Sequence, residues 1–150
     1  MLESHDRLAQ DVGSLLEVLV GLSAARYACV LEPGRLAFES PAGGGGGLAE
    51  LLNARAAELF QLPAHMADEE APAPPGDLFE GWEQEAFLLV FVNGRVALVL
   101  AGVEPEADEG ELQRPLQALV DRLLRFKPAW RGRGFLFGSP RLDFVRVGRA

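Results

Sequence analysis

At 150 residues, with 49% apolar and 24% charged side chains, the chain has the size and composition of one compact domain, neither two domains nor a disordered polypeptide. One cysteine, Cys29, and two histidines, His5 and His65, exclude an internal disulfide and argue against a Cys/His zinc site. A net charge of −8 argues against general binding to nucleic acid, whose phosphates such a surface repels.

The charge is unevenly spread. Residues 1–121 carry 6 basic and 21 acidic side chains, whereas residues 122–150 carry 8 basic and 1 acidic. A basic tail on an acidic body either neutralises its own domain or docks an acidic partner. Glu3, Asp6 and Asp11 stand where a secretory leader needs a basic and then an apolar stretch, so a cytoplasmic location is expected.

Leu8, Val12, Leu15, Leu16, Leu19 and Leu22 recur at helical spacing, which predicts a helix over 5–22 with Ser4 as its N-cap. Residues 25–31 and 36–40 read as a hairpin around Glu32-Pro33-Gly34-Arg35, where proline presets φ and glycine accepts a positive one. The five glycines Gly43–Gly47 read as a mobile hinge. Residues 48–62 form the next predicted helix. Its leucines at 48, 51, 52 and 59 make one stripe, and Ala49, Asn53, Ala56 and Phe60 make a second face.

Pro63 stops that helix, and residues 67–77 read as an acidic, proline-rich loop. Leu78–Glu83 reads as a weak strand, Phe87–Val92 and Val96–Leu100 as central strands covered on both faces. The stretch Ala86–Val103 is apolar enough to suggest a membrane span, but Asn93-Gly94 at its centre is a hairpin signal, so no membrane insertion is expected. Leu112, Leu116, Leu119, Val120, Leu123 and Leu124 define a last helix over about 109–126, ended by Pro128. Residues 142–147 read as a short extra strand. The element order is α-β-β-α-β-β-β-α, followed by a tail.

Motifs that carry chemistry are scarce. The glycine run matches a dinucleotide fingerprint only loosely, as Gly44, Gly46 and Ala49, and Lys127 precedes Pro128 where a phosphate loop needs Ser or Thr. Cys29 falls in a central strand and reads as a small buried hydrophobe. Ser4-His5-Asp6 are sequence neighbours, not a triad, and Asp68-Glu69-Glu70 reads as solvated loop instead of a metal cage. Arg55, inside the leucine stripe, is either an arginine finger toward a GTPase or a snorkelling side chain. The expectation is a protein without catalytic residues, cofactor or metal.

Residues 25–31 with the acidic turn after them, the alanine-rich middle helix, and the hairpin Val92-Asn93-Gly94-Arg95-Val96-Ala97-Leu98-Val99-Leu100 resemble the bacterial Roadblock family, in particular its MglB-type members. The resemblance covers residues 5–126. It implies an α/β (α+β) sandwich: a five-stranded antiparallel sheet with the first and last helices on one face and the second on the other. It also implies a dimer formed through the second helix and third strand that regulates or scaffolds a small Ras-like GTPase in bacterial polarity, motility or signalling. Carried onto this chain, the partner or dimer surface is Ala49, Asn53, Ala56 and Phe60, with Gly43 to Gly47 leading into it.

The chain then divides into a Roadblock-like domain over 1–128 and a basic, aromatic-containing extension over 129–150. Trp130, Arg131, Arg133 and Phe135 are that extension's candidate docking residues, and its removal is expected to leave the fold intact. Two other readings compete: an acidic secretion-chaperone-like dimer binding an effector segment, and a small-ligand sensor of profilin-like architecture.

Overall fold

The computed structural model describes residues 2–63, 76–79, 81–82, 85–103, 109–131 and 140–148. In chain order these form α1 (Leu2–Ser23), β1 (Tyr27–Glu32), β2 (Arg35–Ser40), α2 (Leu48–Ala54), α3 (Ala56–Leu59), a 3-10 turn (Gly76–Phe79), β3 (Ala86–Val92), β4 (Val96–Ala101), α4 (Glu109–Phe126), a second 3-10 turn (Pro128–Arg131) and β5 (Leu142–Gly148). The five strands make one antiparallel sheet in the order β2-β1-β4-β3-β5. The fold is α+β.

Period-two alternation sorts the strand residues between two apolar layers. Ala28, Val30, Leu88, Val90, Val92, Val96, Leu98 and Leu100 meet Val12, Leu16 and Leu19 of α1 and Leu112, Leu116, Leu119 and Leu123 of α4. On the opposite face Tyr27, Cys29, Leu31, Phe87, Leu89, Phe91, Val99 and Val145 pack with Leu48, Leu52 and Leu59. Because both faces are covered, β3 and β4 are apolar at nearly every position, as more commonly found in parallel sheets. Their turn takes Asn93 at φ 54° and Gly94 at φ 66°, the pair of positive values that a two-residue hairpin requires. The 86–103 stretch is thus two strands, and no described helix is long and apolar enough to cross a membrane.

Four local expectations change. First, α1 begins at Leu2, so Ser4 lies inside it and does not cap it. Second, the middle helix breaks at Arg55, whose φ of −118° and ψ of 37° leave the helical region, giving two short helices where one was expected. Third, Leu78 and Phe79 form a 3-10 turn: both side chains enter the same apolar layer, whereas neighbours along a strand point to opposite faces, and Gly81 takes φ 94°. The fifth strand of the sheet is instead β5, which pairs with β3 along all seven residues from Ala86↔Gly148 to Val92↔Leu142.

Fourth, the glycine run is a seated turn, not a hinge. Gly43, Gly46 and Gly47 take positive φ, while a Cβ on Gly44 would meet the Pro41 ring at 2.6 Å and one on Gly45 the Tyr27 ring at 2.8 Å. Each of the five positions has a steric or conformational reason to be glycine.

Candidate functional site

The site built by the middle of the chain starts from Tyr27 on β1. Its ring is fully buried, and its hydroxyl donates to Glu39 Oε2 on β2 at 2.5 Å. Burial, reinforced by that hydrogen bond, pushes the phenol well above its usual range. The other oxygen of Glu39 accepts the Gly43 N–H at 2.8 Å, and the Gly44 N–H donates to the Pro41 carbonyl at 2.9 Å. The loop is therefore laid over Tyr27 and delivers the chain to α2 in a fixed direction.

Leu48, Ala49 and Leu52 of α2 point into the sheet. Ala49 is only 3% exposed, which removes it from the predicted partner surface. Ala49 stands beside Leu48 and three residues before Leu52, on the side of α2 that packs on the sheet, and the break at Arg55 separates 49 and 53 from 56 and 60. Asn53, Ala56 and Phe60 are half-buried. Phe60 sets its ring edge-on to Phe91 of β3, centroids 5.8 Å apart, and Asn53 Oδ1 is buried without a hydrogen-bond partner. Gly43 and Gly47 are exposed and shape the approach through φ values of 71° and 92°. The Arg55 guanidinium is bound to Glu58 one turn on.

The predicted docking tail is placed differently. Trp130 is 4% exposed and belongs to the layer under α1 and α4, so it offers no surface to a partner. Its indole N–H donates to Glu32 Oε2 at 3.1 Å, the Lys127 ammonium donates to the same oxygen at 2.7 Å, and Lys127 Nζ lies 5.4 Å from the Trp130 ring centre. Arg131 closes the 3-10 turn; its side chain, with Arg133 and Phe135, lies outside the described residues. Trp130 and β5, both in the stretch read as an extension, are thus built into core and sheet.

Sequence reasoning missed Glu32, Asn93 and Lys127. Asn93 reads as a turn residue and is one, but it also clamps the tail. Its side chain donates to the Trp130 carbonyl at 3.2 Å and accepts the Arg141 N–H at 2.8 Å, while its own N–H donates to the Arg141 carbonyl at 2.8 Å. For Glu32, burial alone would raise the carboxyl pKa, but the hydrogen bonds from Lys127 and Trp130, aided by the charges of Lys127 and Arg35, hold it below the usual range.

That depression carries a pH prediction. A carboxylate held below its unfolded pKa of about 4.3 contributes stability that is present above that value and lost as pH falls through the folded one. Urea midpoints of the wild type and Glu32→Gln should therefore differ most at pH 6–7 and converge toward pH 3. A difference that stays constant over that range would show that Glu32 does not act as an ionised anchor.

Cys29 is fully buried, and burial pushes its thiol up to about 12, partly opposed by the nearby Tyr27 side chain, so it carries no thiolate at neutral pH. Among the described residues no three His, Cys, Asp or Glu side chains are grouped to hold a metal; Asp68, Glu69, Glu70 and His65 lie outside them. Comparison of the chain with protein-family models, curated proteins and solved structures finds no match.

Proposed function

We propose that the chain is a non-enzymatic protein–protein interaction module, a Roadblock-type dimer that regulates or scaffolds a small Ras-like GTPase, docking through the outer side of α2 and α3. The observation that carries this reading is the half-buried aromatic Phe60 at the end of α3, beside which α2 carries an Asn53 Oδ1 with no hydrogen-bond partner among the described residues. A buried acceptor without a donor is destabilising by about 1–3 kcal/mol, which a donor from a docked chain would recover. Phe60 offers the aromatic anchor around which interfaces concentrate their energy. Two short helices cover this face of the sheet, and Leu36, Trp82 and Val147 are also only partly buried there. The α+β sandwich, with α1 and α4 on one face and α2 and α3 on the other, supports the resemblance on which the GTPase partner rests.

Phe60→Asp should weaken self-association by placing a charge in a desolvated patch. Sedimentation velocity at tens of micromolar should show a concentration-dependent dimer for the wild type and a shift toward monomer for the variant. A monomer in both would overturn the interface. Pull-downs from native cytosol with GTP-analogue and GDP arms then test the partner: enrichment of a small GTPase in either arm supports the reading, and its absence from both overturns it.

A further inference from the structure

Residues 48–59 hold neither glycine nor proline, and all but Asn53 are good helix formers, yet the helix is interrupted in its middle. The Arg55 N–H donates three residues back, to the Leu52 carbonyl at 3.2 Å, and four-residue bonding resumes with the Leu59 N–H on the Arg55 carbonyl at 3.0 Å. An unbroken helix would instead bond the amides of Ala56, Ala57 and Glu58 to the carbonyls of Leu52, Asn53 and Ala54. Something outweighs those bonds.

The apolar pattern does not. At about 100° per residue, Leu48, Leu52, Leu59 and Leu62 fall within about 80° of arc on an unbroken helix, so one straight cylinder could seat all four on the sheet. All four are buried. The remaining residue in that arc is Arg55.

On an unbroken helix its guanidinium would be aimed, between Leu52 and Leu59, at the layer of Cys29, Leu31, Leu89, Phe91 and Val99, where an ion without a partner is very costly. The carboxylate on that face of β2, Glu39, is already engaged by the Tyr27 hydroxyl and the Gly43 N–H. With the break, residue 55 leaves the helical region at φ −118° and ψ 37°, and the guanidinium comes out, partly exposed, to Glu58. The charge, not the leucine pattern, accounts for the interruption.

The interruption also fixes how the outer side is laid out. Asn53 stands in the last turn of α2 and Phe60 at the end of α3, with the Phe60 ring edge-on to Phe91. Straightening the segment would turn one helix about the axis of the other and move these two side chains relative to each other.

We infer that Arg55 is a positioning residue: its charge splits residues 48–59 into two helices, and the split sets the mutual orientation of Asn53 and Phe60 on which the docking face depends. The second half of this inference rests on the docking reading above, and the first half does not.

The probe is Arg55→Leu in the full chain, with Arg55→Met as a second apolar variant and Arg55→Lys as the conservative one. Hydrogen exchange should show the amides of Ala56, Ala57 and Glu58 slowed by about tenfold or more in the two apolar variants, as helical bonds close over the former break. In the lysine variant, which keeps the charge, they should exchange as in the wild type. Sedimentation velocity should then show self-association weakened by about tenfold in the apolar variants and restored by lysine. Equal exchange at residues 56–58 in the wild type and both apolar variants would overturn the split. Slowed exchange, with self-association that Phe60→Asp weakens but the apolar variants leave intact, would overturn the positioning role. A wild type that stays monomeric removes the docking reading and the positioning role together, while the exchange result still decides the split.

Discussion

Replacing Trp130 by alanine should lower the unfolding free energy by about 3–5 kcal/mol, the range for deleting a large aromatic from a closed core. The indole lies 4% exposed in the layer that includes Val12, Leu16, Leu119 and Leu123, although it stands 98 residues from the carboxylate it binds. Alanine removes the ring, the hydrogen bond to Glu32 and the surface over which Lys127 rests. Trp130→Phe separates these: it restores most of the apolar volume and should lose the smaller increment of about 1.5–3 kcal/mol typical of a hydrogen bond to a charged group. Urea denaturation of the two variants gives the ordering directly. A loss below about 1 kcal/mol for alanine would mean that the tail is not part of the core, and that deleting residues 129–150 is harmless after all. On the present structure that deletion is instead expected to unfold the protein, because it removes Trp130 and bares the whole edge of β3.

How much of this was readable in the sequence divides along a physical line. Local signals were clear. Leu8 to Leu22 and Leu112 to Leu124 have the helical period because each helix buries one stripe, and Asn93-Gly94 marks a turn because few other pairs accept two positive φ values. Non-local arrangements were not. Leu142-Asp143-Phe144-Val145-Arg146-Val147 alternates as a strand should, but nothing in the stretch says that it belongs on the edge of β3 in place of Leu78–Glu83.

The same limit applies within the candidate site. Spacing grouped Ala49 with Asn53, Ala56 and Phe60 on an outer face, but it did not show that the side of α2 turned to the sheet is wide enough to take in Ala49 with Leu48 and Leu52. Asn93 satisfies its turn preference and its clamp at once, and only the first leaves a trace in the sequence. Spacing put Phe60 and Asn53 on that second face, and the fold leaves both half-buried; the unsatisfied state of Asn53 Oδ1 among the described residues depends on neighbours that only the fold supplies.

The glycine loop shows how sharply composition can mislead, and it yields the second large effect. Gly45→Ala should destabilise by about 1–3 kcal/mol, the range for forcing an extra carbon into a filled space. The added Cβ would lie 2.8 Å from Cζ and 2.9 Å from Cε2 of Tyr27. That ring cannot retreat, being fully buried with its hydroxyl anchored on Glu39, so the loop itself must move and take the Gly43–Glu39 bond with it. Gly13 in α1 is the matched control: a Cβ there meets nothing within 4 Å, and alanine should stabilise by about 0.5–1 kcal/mol through helix propensity. One substitution type is thus expected to act with opposite signs at two sites, which urea midpoints will resolve. Because the loop sets where α2 begins, Gly45→Ala should also weaken the self-association proposed to involve Phe60, although residue 45 itself is buried. If the variant unfolds at the wild-type urea concentration, the five glycines are a flexible hinge and Tyr27 does not fix the direction of α2.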